Sequence, residues 1–123
     1  MATPNLVNIA TITPKNAMGT LGDTNRTTMI DVPADTAVRI DTILLANDDG
    51  TNAVDATVEI SNDNGSTYFK ILSTVSIPAD STLSLIDTPI YLDETDLIAV
   101  TAGAASDLDY HVSYVELVDS WRI

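Results

Sequence analysis

The chain contains no cysteine, and that one absence removes a disulfide framework, thiol catalysis and cysteine-ligated zinc together. Basic residues are scarce: five Lys and Arg stand against 18 Asp and Glu, a formal net charge of -13. A surface of that balance repels nucleic-acid phosphates and anionic membranes, so neither is an expected partner. It favours solubility and suits a partner surface that is positive. Aromatic residues make up only 5% of the chain, so its core has to be built from Val, Ile, Leu and Ala. The five glycines are scattered through turn segments and form no phosphate-cradling loop. No run of about 18 apolar residues is present to cross a membrane as a helix. The opening MATPNLVNIA also lacks the basic-then-apolar order of a signal peptide. The expectation is a product that stays in the cytoplasm where it is made, unless it leaves as part of a larger particle.

What is present is alternation. The length of 123 residues and a hydrophobic share of 45% suit one globular domain with one core. Apolar and polar residues alternate over 8–13, 27–32, 37–47, 55–61, 68–75, 82–86, 89–92, 96–102 and 108–117. Turn-forming clusters separate these runs: NDDGTNA, NDNGST, PAD, DET and GAASD. No stretch carries an apolar stripe at helical spacing. Short, regular strands without helices between them predict an all-β fold, a single antiparallel β-sandwich of jelly-roll or immunoglobulin-like type with about eight or nine strands. In the longest run Val38, Ile40, Thr42 and Leu44 are expected on one face; in 55–61, Ala56, Val58 and Ile60 point inward, with Thr57 and Glu59 outward. In the last run Leu108, Tyr110, Val112, Tyr114 and Glu116 share a face. The opposite face turns apolar at Val115 and Leu117, as if something covers it. Residues 13–26 show no strand pattern, so 1–26 is expected as an extended arm and loop with one short strand. The sandwich then occupies 27–117, and 118–123 forms a tail.

Two stretches nearly copy each other: VPADTAVRID from Val32 and IPADSTLSLID from Ile77. In each, Pro ends a strand because it fixes φ and cannot donate to a ladder. The Asp followed by a hydroxyl residue is a favoured turn pair, because short polar side chains bond their own backbone. The reading is scaffolding used twice, rather than a binding site.

Candidate chemistry is thin. His111 is the single histidine and cannot found a zinc site without cysteine or a second histidine. Ser and Asp are plentiful enough to draw a triad around it, but no GxSxG elbow supports one, so no enzyme is expected. Clustered oxygen ligands make NDDGTNAVD and SNDNGS the best calcium candidates, with Asp48, Asp49 and Asp55 the residues to suspect. Neither stretch fits an EF-hand loop: with Gly50 as the loop glycine, Leu45 falls at the first ligand position, and with Gly65 it is Ile60. Asp-Gly and Asn-Gly are hairpin signals in their own right, and no metal or cofactor is expected. A carbohydrate-binding sandwich would want exposed aromatics, and the few available, apart from Trp121, fall mostly at strand positions that look buried. At the C-terminus, Trp121 and Arg122 have the character of an interface anchor, although Trp121 could equally cover its own sandwich.

The second half of the chain carries a family likeness. In order come the proline turn IPADS, PIYL, the acidic turn DETD, the strand DLIAVTA, SDLD and a final VSY strand; ILLAN and ATVEIS fit as well. This pattern, over 38–117, resembles small virion structural proteins of tailed bacteriophages, common in marine phages. The resemblance implies a non-enzymatic particle component: a capsid decoration (cement) protein bridging major capsid protein subunits, or else a tail, neck or fibre part. It implies location in the virion and homo-oligomerisation, a trimer being one form. The motifs are turn-and-strand patterns and carry no catalytic residue. The expected contact residues are Asn5, Leu6, Val7, Ile9 and Ile12 in the arm, with Trp121, Arg122 and Ile123 in the tail.

Overall fold

The computed structural model describes residues 9–119, with side chains from 11 to 118. These residues form nine strands and no helix: β1 (Ile9–Thr20), β2 (Thr27–Asp31), β3 (Thr36–Asn47), β4 (Val54–Ser61), β5 (Phe69–Ile77), β6 (Thr82–Ser84), β7 (Ile90–Leu92), β8 (Leu97–Ala102) and β9 (Leu108–Asp119). One sheet has the order β1-β9-β3-β6, with β7 also on β3; the other has the order β2-β8-β4-β5. All the pairings are antiparallel. With β6 and β7 taken as one interrupted strand, the partners nest about a centre between β4 and β5. That centre pair is enclosed by β3 with β6 and β7, then β2 with β8, then β1 with β9. A long hairpin rolled up in this way is a jelly roll, so the connectivity selects that alternative over the immunoglobulin-like one.

The core lies between the sheets and is aliphatic, as the composition requires. Val38, Ile40, Ile43, Leu45, Val58, Ile98, Val100, Leu108 and Val112 are buried in it, while Tyr110 and Tyr114 pack at its margin. Strand β3 shows why simple alternation misplaces residues. Its register against β9 slips between Ile40 and Thr42, so Asp41 is an extra residue. A bulge of this kind changes which face the following residues occupy. Val38 and Ile40 point into the core, but beyond the bulge Ile43 and Leu45 do so, and Thr42 and Leu44, expected on the same face as Val38 and Ile40, face out.

The expectation that 13–26 is loop is corrected. Residues 13–20 complete β1, paired with β9 from Thr13 opposite Glu116 to Thr20 opposite Asp109. The strand left no trace in the pattern because it is a sheet edge, exposed on both faces from Thr11 to Asn16, and so needs no apolar row. Pro14 and Lys15 are residues that proteins place on edges to discourage further pairing. The last strand likewise runs to Asp119, into the segment expected as tail. At the far edge of the other sheet, β5 carries two register irregularities against β4. Thr74, in one of them, has φ 48°, and its N–H donates to Thr57 Oγ1 at 3.0 Å.

Glu59 departs from its expected place in water. It is buried, and Arg26 forks onto it, Nε to Oε1 at 3.1 Å and Nη2 to Oε2 at 3.3 Å. The Arg26 guanidinium lies 3.7 Å from the centre of the Tyr68 ring, a stacked geometry that a planar cation suits.

Candidate interaction surface

The strands run antiparallel, so the loops gather at two ends. One end holds 21–26, 48–53, 78–81 and 103–107; the other holds 32–35, 62–68 and 93–96. The acidic residues follow the loops. Asp23, Asp48, Asp49, Asp80 and Asp107 lie at the first end, and Asp35, Asp63, Asp93, Glu94 and Asp96 at the second. Of the described cations, Lys15 pairs with Glu116 at 3.0 Å, Arg26 with Glu59, and Arg39 with Asp41 at 2.9 Å. The negative excess is thus carried by the two ends.

The calcium candidates do not converge. Asp49 turns its carboxylate onto its own loop, accepting the N–H groups of Thr51 at 2.8 Å and Asn52 at 3.2 Å. Those bonds hold its pKa below the usual carboxylate range. Asp55 sits in β4 against Gly103, whose N–H donates to the Asp55 carbonyl at 2.8 Å and where a Cβ would come within 3.3 Å of that of Asp55. Among the described residues no group of three His, Cys, Asp or Glu side chains is arranged to hold a metal ion. Asp107 does meet Asp49. Partial loss of water, then the charges of Asp49 and Asp48, push its pKa up, and the pair shares a hydrogen bond.

The outer face of the β1-β9-β3 sheet is different in kind. Register places Ile12, Pro14, Asn16, Met18 and Thr20 beside Leu117, Val115, Ser113, His111 and Asp109 of β9. On the other side of β9 lie Ala37, Arg39, Thr42, Leu44 and Ala46 of β3, and Tyr91 of β7 stands opposite Arg39. Ala37, Val115 and Leu117 form a small buried apolar cluster separate from the main core, which accounts for the late apolar turn of the last strand. Large apolar side chains stand in water on this face: Ile12, 68% exposed, and Tyr91, 56%, near the cluster, and Met18, 61%, farther along beside His111. Among the described residues, the remaining exposed large hydrophobics are Phe69 and Ile71 on β5, at the opposite sheet's edge. Phe69 and Tyr91 therefore correct the expectation that strand aromatics are buried. Among the described side chains of β1, β9 and β3 on the outer face, the charges are the Arg39–Asp41 pair and Asp109, which accepts a hydrogen bond from the Thr20 hydroxyl.

Of the expected contact residues, Ile12 lies on this face, and Ile9 begins β1 opposite Asp119. Asn5, Leu6, Val7, Trp121, Arg122 and Ile123 lie outside the described residues. Met18 and Tyr91 were not anticipated: Met18 fell in the supposed loop, and Tyr91 shows its side only through the β3–β7 register. His111 lines a shallow groove with Met18, Gly19, Thr20, Asp109 and Tyr110. The neighbouring Thr20 hydroxyl gives its proton to Asp109, so it is not directed at the imidazole as a nucleophile would be.

No protein-family model matches this chain, and no curated protein matches it by sequence. Solved structures do match by fold. A Bacillus chain from endospore appendages, described as disulfide-linked pili, aligns with TM-score 0.54 and 16% identity over 89% of this chain and 90% of its own. A chain from the acid-stable capsid of the Helicobacter pylori bacteriophage KHP30 aligns with TM-score 0.52 and 10% identity, covering 91% of each chain. A chain of the IBDV viral particle aligns with TM-score 0.50 and 6% identity over 90% of this chain and 32% of its own. At these identities the likeness is one of fold. Jelly rolls recur in viral capsid and lectin domains.

Proposed function

We propose that this chain is a non-enzymatic structural subunit of a bacteriophage virion, a capsid decoration (cement) protein that bridges major capsid protein subunits. The observation that carries the reading is the distribution of surface character: a jelly roll whose ends are acidic and whose outer β1-β9-β3 face sets exposed apolar side chains among mostly uncharged polar ones. Scattered exposed apolar side chains are ordinary, but a group of them on one face marks an interaction surface. The phage-like pattern over 38–117 and the fold shared with a phage capsid chain support the same reading. The mechanism is bridging. Each seated copy buries surface between capsomers and stabilises the assembled shell through mass action, because it binds the intact lattice and not its separated parts. Acidic ends either face solvent or meet basic patches of the shell.

The fold shared with a pilus subunit favours a second reading, a tail, neck or fibre component, in which the same face stacks subunits along an axis. Copy number separates the two. Mass spectrometry of purified particles, ratioed to the major capsid protein, is expected to give a ratio near one or a simple fraction. A handful of copies per particle transfers the chain to the tail or neck, and absence from particles refutes the virion role.

A further inference from the structure

We infer that the outer face of the β1-β9-β3 sheet is a self-association surface, on which a second copy of this chain packs the same face. The inference rests on reading this face as an interface and names a second copy as its occupant, which leaves the acidic ends to meet the shell.

Charge decides where two copies can meet. Each carries a formal charge of -13, and the loops at both ends concentrate acidic residues. End-to-end contact therefore sets like charges against each other, which costs association free energy. Face-to-face contact does not. Among the described side chains that β1, β9 and β3 present on the outer face, only Asp109 stands outside an ion pair, at the end next to Thr20, while the Arg39–Asp41 pair is internally neutral. Two such faces present one another with Ile12 and Tyr91 near the Ala37–Val115–Leu117 cluster and with Met18 and Leu44 on either side of His111.

The size is also right. Strands β1, β3 and β9 are each twelve residues long. At the usual rise and spacing, with β6 and β7 as the fourth strand, the face measures about 40 Å by about 19 Å, or about 750 Å². A standard stable interface takes about 800 Å² from each partner. Stacked sheets also pack readily when aligned within about 30°, so flat face-to-face contact is an ordinary sheet geometry. Edge-to-edge pairing is disfavoured on β1 by Pro14 and Lys15 and on β5 by its two irregularities.

The test is the solution mass of the full chain by light scattering across a concentration series. Variants Ile12→Glu and Tyr91→Glu interrupt the face, and Phe69→Glu serves as a control on the other sheet. All three positions are exposed, and circular dichroism with thermal melting verifies that each variant folds. The wild type and Phe69→Glu are expected at twice the 13.1 kDa chain mass, falling to 13.1 kDa on dilution, with Ile12→Glu and Tyr91→Glu at 13.1 kDa throughout. A wild type at 13.1 kDa at its highest soluble concentration overturns the inference. So does a dimer that survives both face variants, or one that Phe69→Glu dissociates. Particle incorporation is scored separately by copy number, so a monomer that still enters particles removes self-association and leaves the virion reading standing.

Discussion

Asp35 and Asp80, 45 positions apart, hold the same backbone conformation, with φ 59° and 57°. Each follows a Pro-Ala pair, and each leads the chain from the β2-β8-β4-β5 sheet across to the other. The hydroxyls that follow make equivalent bonds: Thr36 Oγ1 donates to the Ala34 carbonyl at 3.1 Å and Ser81 Oγ to the Ala79 carbonyl at 3.3 Å. The repeated motif is one corner built twice. Asp tolerates left-handed backbone where most residues do not, so the turn and its direction are encoded together.

Substitution at these corners should therefore follow φ. Asp35→Val and Asp80→Val are each expected to lower stability by about 1–2 kcal/mol, the cost of a β-branched residue in left-handed backbone. Glycine at either position is expected to retain near-native stability, since it adopts positive φ without steric cost. Urea unfolding midpoints of the four variants give the comparison. Equal losses for Val and Gly would show that the aspartate side chain, and not the backbone, holds the corner.

Asn47 is expected to matter more than any other polar residue at its end of the sandwich. It is buried, and its Nδ2 donates to the carbonyls of Asn52 at 2.9 Å, Ile77 at 3.0 Å and Pro78 at 3.2 Å. Its Oδ1 accepts the Asp49 N–H at 3.0 Å. One side chain thus ties the β3–β4 loop to the second Pro-Ala-Asp corner. Asn47→Ala is expected to destabilise by about 2–4 kcal/mol, because several buried backbone groups lose their partner at once. A loss under about 1 kcal/mol, within the range of one ordinary hydrogen bond, would mean that water replaces the amide.

The acid response should carry two opposite signs. Asp63 is held below the ordinary carboxylate range, first by the Thr67 N–H and then by the Ser61 hydroxyl. Its unfolded form binds protons more readily, so its contribution is present above the ordinary carboxylate pKa and is lost as pH falls toward the depressed folded value. Asp107 is raised, so the folded state binds its proton more readily. Its contribution falls as pH rises from the ordinary value through the raised one, and it is unfavourable at neutral pH. Asp107→Asn is expected to raise Tm at pH 7, with a gain that shrinks in acid, and Asp63→Asn to lower Tm at pH 7, with a loss that shrinks in acid. Melting curves between pH 3 and pH 8 measure both; a pH-independent difference in either would remove the charge explanation.

Much of this architecture was legible because burial on one side of a strand imposes alternation. The strands from β2 to β9 stand close to their expected places, and the two Pro-Ala-Asp corners announce themselves through turn chemistry. The failures share a cause. Strand β1 lies on an edge where little is buried, so Pro14, Lys15 and Asn16 carry no periodic signal. The Asp41 bulge inverts the sides of Thr42 and Leu44 without altering composition, and Glu59 leaves water only because Arg26 and Tyr68, distant in the chain, reach over it.

By itself, then, the sequence determined an acidic, cysteine-free, all-β domain with an aliphatic core, since alternation, turn residues and charge are local properties. The nested pairing that makes the sandwich a jelly roll was decided by tertiary structure. So was the placing of Ile12, Met18 and Tyr91 on one face, because residues of β1 and β7 share a face only when long-range register through β9 and β3 sets them there.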